Sequence, residues 1–445
     1  MKWIILIALL GSLGPLTMFL RSQPKYLLHA CFFMGLLVFF LDPYLNISPI
    51  SWRWTGAVKG FEISIVDVIA FAMLFATGPS PGRVPLGLKI GFGLYLAAVL
   101  IATLGATQMT PALFSVWQLM RAVLVFVAVA RATAVVKDAP IALFAGLGVG
   151  IMIEAVLAAK QYAGGNTQPG GTLGHRNILG LTSHFAVMPA FALLLAGRRT
   201  KLFAFVVLAG AVVALAGGGR ATIGLYAIGL IVTIALSIRL KSTGRKNAIA
   251  GAALLGLLLA APVMMWAIDR RSDAAKASSD QERSAMIRAA KMIIADHPLG
   301  VGPNQYLLVA NIGGYSSRAG VAWNAANRSA PVHNSYYFIT GEIGFLGLIG
   351  MITILLSTIW TGFRAIKRVG LGERPDILVG VTATLIVVSA HLAFEWLVAT
   401  NYVQYLLAMC IGTLVGITSP LRQKAGAAKP RKAASSAGGL ASQPS

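Results

Sequence analysis

The sequence predicts an all-α bundle of membrane-spanning helices, and four observations carry that expectation. Of 445 residues, 57% are hydrophobic and only 11% charged, and the mean hydropathy is +0.76; a soluble domain carries about a quarter charged residues. Apolar runs of span length recur along the chain, and roughly 20 such residues cross a bilayer as a helix. The period-two alternation of a membrane barrel is missing, so helices are the remaining spanning solution. Finally, basic residues fall in every second connection between the runs.

Taken in order, thirteen spans are expected, at 3–20, 26–41, 61–77, 86–107, 111–130, 140–162, 177–196, 201–217, 221–238, 247–268, 339–361, 377–396 and 401–419. No small-residue cleavage site follows the first run, which therefore reads as a retained span and not a cleaved signal. The basic connections hold Arg21 and Lys25; Arg83 and Lys89; Arg131 and Lys137; Arg198, Arg199 and Lys201; Arg239 to Lys246; Arg364 to Arg374; and Arg422 to Lys432. The alternate short connections carry little net charge. Lys and Arg accumulate on the cytoplasmic side of membrane proteins, which puts the amino terminus outside and the tail inside. It also explains the net charge of +23 without nucleic acid. Four regions result: about ten spans in 1–268, an outer loop in 269–338, the last spans in 339–420, and a disordered Ala-, Gly-, Ser- and Lys-rich tail in 421–445. Cys31 and Cys410 both lie inside apolar runs, so no disulfide framework is implied.

The outer loop carries an expected amphipathic helix over 279–295. Met286, Ala290 and Ile293 recur at helical spacing, with Arg288 and Lys291 on the other face. Ser279 and Glu282 fit a capping box, and Pro298 stops the helix. Arg283 lies on the apolar side, where it either snorkels its stem over that face or aims its guanidinium into a site.

"HPLGVGPNQY" follows at 297–306, and "APVHNSYYFITGEIGFLGLIG" closes the loop at 330–350. An acidic-His-Pro-Leu-Gly-Val-Gly turn after a helix with an early Arg, then His-Asn-Ser before Gly-Glu-x-Gly-x-x-Gly-Leu, resembles the O-antigen ligase and O-antigen polymerase superfamily. The matching core covers about Gly171 to Gly350. The resemblance implies a metal-independent membrane glycosyltransferase that uses a polyprenyl-diphosphate-linked glycan.

Such chemistry needs a base for the acceptor hydroxyl and cations for the departing diphosphate. Arginine's planar fork suits phosphate oxygens. Arg220 ends "AGGGR" beside a helix start, where an anion is favoured, and it maps best onto the family's diphosphate ligand. Arg176 stands in "LGHRNILG" with His175 beside it and reads as a second substrate contact, with Arg283 as the third arginine. His333 is the candidate base, since imidazole titrates near neutrality; the alternative is a hydrogen-bonded loop histidine. Asn334 either positions sugar hydroxyls or caps the following helix. Several charged groups read as structural. Glu342 is expected to pair with an arginine. Arg121 and Glu154 are expected to pair with each other across neighbouring spans. His391, Glu395 and His184 are read as hydrogen-bonded bundle contacts, although His391 and Glu395 have the i, i+4 spacing of metal ligands. No Asp-x-Asp pair, Walker motif or dinucleotide fingerprint stands in the sequence, so no metal, ATP or NAD cofactor is expected.

The function expected is transfer of a glycan from undecaprenyl diphosphate to an acceptor hydroxyl at the periplasmic face of a bacterial inner membrane. A lipid A-core acceptor makes it a ligase; a second lipid-linked repeat makes it a polymerase of O-antigen or exopolysaccharide; a protein hydroxyl is a third option. The alternative from another class is a transporter or flippase of lipid-linked glycans.

Overall fold

In lipid, every backbone N–H and C=O must find its partner inside the protein, and the apolar runs meet that demand as helices. The structure is a computed structural model that describes residues 2–41, 45–78, 84–269, 273–368 and 375–419. The expected tail, with Arg83, Arg374 and the basic residues from Arg422 onward, lies outside the described residues. In chain order come α1 (Lys2–Gly11), α2 (Leu13–Ser22), α3 (Pro24–Leu37), strands β1 (Asn46–Ser51) and β2 (Gly60–Ser64), then α4 (Ile65–Ala76), α5 (Leu86–Leu104), α6 (Met109–Val135) and α7 (Ala139–Ala163). Next are α8 (Arg176–Leu195), α9 (Thr200–Gly217), α10 (Arg220–Leu240), α11 (Gly244–Asp269) and α12 (Asp273–Asp296). Short α13 (Tyr306–Ile312), α14 (Tyr315–Arg318) and α15 (Ala325–Arg328) lead to α16 (Ser335–Arg368), α17 (Pro375–His391) and α18 (Asn401–Thr418).

Among the described residues, ten helices are long and apolar enough to cross a membrane, α1 and α2 counting as one. Three shorter apolar helices, Pro24–Phe40, Ile65–Ala76 and Pro375–His391, stand at the other expected spans. This is a multi-pass membrane protein. The late helices pack among the early ones, with α16 along α5, α18 along α6 and α17 along α8.

Long-range hydrogen bonds sort the connections into two ends. At one end Trp54 Nε1 donates to Asn304 O (2.8 Å), Gln305 Nε2 to Gln108 O (3.1 Å) and Gln118 Nε2 to Ala399 O (2.8 Å). At the other, Arg21 Nη2 donates to Phe75 O (2.7 Å), Arg131 Nη1 to Gly78 O (2.8 Å), and Lys246 Nζ stands 3.4 Å from Asp376 Oδ1. These links join only connections that the charge alternation puts on the same side.

Several expectations need correction. The span expected at 61–77 begins as a strand: β2 pairs antiparallel with β1, and α4 starts only at Ile65, where Ser64 and Asp67 form a capping box. Arg121 and Glu154 do not pair. The hairpin brings two carboxylates to Arg121, with Asp67 Oδ2 2.8 Å from its Nε and Glu62 Oε2 3.1 Å from its Nη1. Glu154 instead accepts the amide of Thr172 at 2.9 Å and the Thr172 hydroxyl. The amphipathic helix starts earlier than expected, so Ser279 is interior to α12 and caps nothing; Glu282 accepts the amide of Ala322 at 3.3 Å. The faces of that helix are as expected, with Met286, Ala290 and Ile293 buried and Arg288 and Lys291 exposed.

The two glycine-rich motifs of the long connection before α16 and of α16 itself interlock. α16 breaks at Ile343 and Gly344, and Gly344 has φ 72°, ψ −177°. The Pro-Leu-Gly-Val-Gly turn sits in the break, where Val301 N donates to Gly341 O and Gly302 N to Glu342 O, both at 2.9 Å, and Phe345 N donates to Pro298 O at 3.2 Å. Glu342 is not paired with an arginine as expected. Its carboxylate accepts the Tyr306 amide at 3.3 Å and so serves the backbone at the start of α13.

A Cβ on Gly344 would stand 2.6 Å from Pro298 O, on a backbone conformation that L-residues avoid. Gly344→Ala should therefore cost about 1–3 kcal/mol and lower the melting midpoint in detergent. Gly93→Ala, whose Cβ meets nothing within 4 Å on α5, should leave the midpoint unchanged or raise it slightly. Equal midpoints for both variants would remove the interlock as a stability element.

Candidate active-site cleft

The cleft is built where helices begin. α9 ends as Gly218 turns left-handed (φ 59°), Gly219 returns to extended backbone, and α10 starts at Arg220. α8 starts at Arg176, and His175 caps it, its Nδ1 accepting the Asn177 amide at 3.2 Å. Two helix amino termini therefore open on one space, each a region of positive potential. Arg176 Nη1 donates to Gly217 O at 3.2 Å and binds the two starts together.

The opposite wall comes from α12 and from the chain just after α17. The span expected to reach residue 396 stops as a helix at His391. The cause is a lacing to the His-Asn-Ser stretch. Ser335 N donates to Leu392 O (2.8 Å), Asn334 Nδ2 to Ala393 O (2.8 Å) and Ser335 Oγ to Glu395 O (2.5 Å). Asn334 also caps α16, its Oδ1 accepting the amides of Tyr336 (2.9 Å) and Tyr337 (3.1 Å). The capping reading of Asn334 describes its contacts.

That lacing holds Glu395, which is 3% exposed and gathers three donors. His333 Nδ1 lies 3.0 Å from Oε2; Asn177 Nδ2 donates to Oε1 at 2.7 Å and Arg283 Nη2 to Oε1 at 3.2 Å. Arg283 Nη1 also donates to Phe394 O at 3.1 Å. The Arg283 guanidinium is thus directed to Glu395 and the Phe394 carbonyl. Burial raises the pKa of Glu395, but the hydrogen bond and charge of His333, with the charge of Arg283, outweigh burial and hold it below its ordinary value. The carboxylate is thus ionised at neutral pH and can only accept. Facing that carboxylate, the neutral imidazole of His333 places its proton on Nδ1 and its lone pair on Nε2.

The resulting cleft has a volume of about 440 Å³ and is lined by Arg176, Asn177, Arg220, Asp280, Arg283, His391 and Glu395, together with Gly218, Gly219 and Phe394. The three predicted arginines meet here. His333 stands one hydrogen bond from the cleft wall, through Glu395. Sequence reasoning missed Glu395, Asn177 and Asp280. His391 and His184 bond each other, Nδ1 to Nε2 at 3.1 Å, as bundle contacts, and His391 and Glu395 also line the cleft.

No protein-family model matches the chain, and no curated protein matches its sequence. The fold and cleft define its class as a multi-pass membrane protein with an arginine-lined polar cleft at one end of the bundle.

The depressed pKa of Glu395 sets a pH signature. Its stabilising contribution is complete above the ordinary carboxylate value of about 4.3 and is lost as pH falls through the lower folded value. Glu395→Gln should melt below wild type at neutral pH, and the gap should close progressively below about pH 4. A gap that stays constant down to acid pH would mean that ionised Glu395 does not hold the site together.

Proposed function

We propose that this protein is a metal-independent membrane glycosyltransferase that passes a glycan from undecaprenyl diphosphate to an acceptor hydroxyl. The reading supposes that the end carrying the cleft faces the periplasm of a bacterial inner membrane. The observation that carries it is the meeting of Arg176, Arg220 and Arg283 in one cleft with a carboxylate-held histidine at its wall. The resemblance of the His-Asn-Ser and glycine-rich motifs to O-antigen ligases and polymerases supports it.

In this reading His333 Nε2 takes the proton of the attacking hydroxyl. The oxygen bonds the anomeric carbon, and the bond to the diphosphate oxygen breaks with its electron pair leaving on the diphosphate. Arg220 and Arg176 meet that growing charge at the two helix starts. Arg283 adds charge while orienting Glu395. Glu395 fixes the tautomer of His333 and stabilises the imidazolium that forms, as a second carboxylate does for a catalytic histidine elsewhere. The acceptor is a lipid A-core sugar in a ligase and a second lipid-linked repeat in a polymerase.

One observation favours a second reading, a transporter of lipid-linked glycans. His184 and His391 are 0% and 1% exposed, and His391 also lines the cleft; buried ionisable groups in a bundle mark proton paths in transporters.

Two experiments test the proposal. Reporter fusions after Ser279 and after Arg199 should give opposite signals, with the first periplasmic; matching signals would overturn the orientation. In the second, purified variants receive a lipid-linked glycan donor and an acceptor, and transfer and donor affinity are read separately. His333→Ala should lose about 10²- to 10⁴-fold in rate with donor affinity nearly intact. Arg220→Ala should lose both, and Arg220→Lys should recover only part, because a point charge lacks the fork. A fully active His333→Ala would return that histidine to a loop contact, and glycan translocation without transfer would favour the transporter.

A further inference from the structure

Arg220 does not face an open cleft. Asp280 of α12 grips its guanidinium fork to fork, with Nη2–Oδ1 at 2.5 Å and Nη1–Oδ2 at 3.3 Å. Both side chains are 53% exposed, so solvent and ligand reach the pair. A carboxylate in this geometry occupies the same two donors that phosphate oxygens would take. The hydrogen bond from Arg220 and the charges of Arg220 and Arg283 hold the Asp280 carboxyl below its usual range against a small effect of burial, so it is an anion throughout neutral pH. One turn further along α12, Arg283 is fastened to Glu395 and Phe394. The helix is thus attached to the cleft by two contacts of opposite polarity. The Asp280 contact is exposed, whereas the Arg283 contact ends on a buried carboxylate.

We propose that Asp280 is a resident competitor for the Arg220 fork, so that an anion enters the cleft by exchange and only a ligand with several phosphate contacts displaces it. The inference rests on the reading of the cleft as a diphosphate site. Its physical point is a threshold of occupancy. A cleft of exposed arginines at headgroup level is surrounded by phospholipids that each carry a single phosphate charge. An internal carboxylate weakens every incoming anion by the same factor. A monophosphate headgroup, with few contacts to spare, then falls below appreciable occupancy. A diphosphate that also reaches Arg176 and the start of α10 stays above it. The ratio of the two affinities is unchanged; the carboxylate sets the threshold that any anion must exceed to occupy the fork. Exchange also frees the early part of α12 from α10, while Arg283 keeps the helix tied to the wall that carries Glu395.

The test uses the full-length protein in detergent micelles, farnesyl diphosphate as the diphosphate probe, and phosphatidylglycerol as the competing headgroup. Asp280→Asn keeps the side-chain volume and removes the charge. It should bind farnesyl diphosphate about 2- to 5-fold more tightly than wild type, the scale of one exposed ion pair. Phosphatidylglycerol should depress that binding at a lower mole fraction in Asp280→Asn than in wild type. In an Arg220→Ala background the gain from Asp280→Asn should vanish, which separates competition for the fork from a general change of charge. Unchanged or weaker diphosphate binding by Asp280→Asn would overturn the proposal, as would equal lipid competition or a gain that persists without Arg220. If neither wild type nor Asp280→Asn binds farnesyl diphosphate, the diphosphate reading of the cleft falls, and the competitor role falls with it.

Discussion

The arrangement at the cleft depends on one buried carboxylate. Glu395 is almost wholly removed from water, and an unpaired charge there would cost several kcal/mol. It survives because three donors converge on it from separate parts of the chain: Asn177 in the first turn of α8, Arg283 on α12 and His333 just before α16. Each donor is oriented by the same acceptor, so their positions are coupled. The loop bearing Glu395 is in turn held by the backbone and side chains of Asn334 and Ser335. His333 and the residues that hold its partner in place are therefore neighbours in one short stretch.

That coupling changes what the motifs mean. In His-Asn-Ser, the imidazole is directed to the carboxylate, while the other two side chains cap a helix and fasten a loop. The Pro-Leu-Gly-Val-Gly turn and the Gly-Glu-Ile-Gly segment form two halves of a joint, with the turn seated in a break of α16 and Glu342 turned back on the amide that opens α13. A match to these motifs is first a match to a scaffold that brings a long connecting segment against a membrane helix.

Much of the architecture was legible in the sequence, because apolar length and loop charge report directly on the bilayer. The starts of α8 and α10 fall within a residue of the expected spans, since Arg176 and Arg220 interrupt the apolar runs there. Loop charge put the three arginines on one side, and the structure brings them to one cleft. What escaped notice depended on partners distant in sequence. "HLAFEWL" reads as the end of an apolar span, and nothing local says that the helix stops at His391; the reason lies with residues 334–335. Helical spacing placed Arg283 on a face but could not name what that face meets. The hairpin was hidden because β2 runs straight into α4, so that one apolar segment contains both. With the hairpin unseen, Arg121 was assigned the wrong carboxylate.

The Arg121 cluster bears on how the chain enters the bilayer. α4 has 12 residues, which rise about 18 Å at 1.5 Å each, against a hydrocarbon core of about 30 Å. It brings Asp67 with it, next to Glu62 on β2, and both carboxylates are met by Arg121 of α6, while the phenol of Tyr405 on α18 donates to Asp67 at 2.5 Å. During synthesis α4 is made before α6, and α18 is made last. A short helix with a carboxylate near its start has no stable residence in lipid until those partners arrive. The carboxylates of the hairpin and α4 are therefore satisfied by groups that translation supplies later, Arg121 of α6 and Tyr405 of α18.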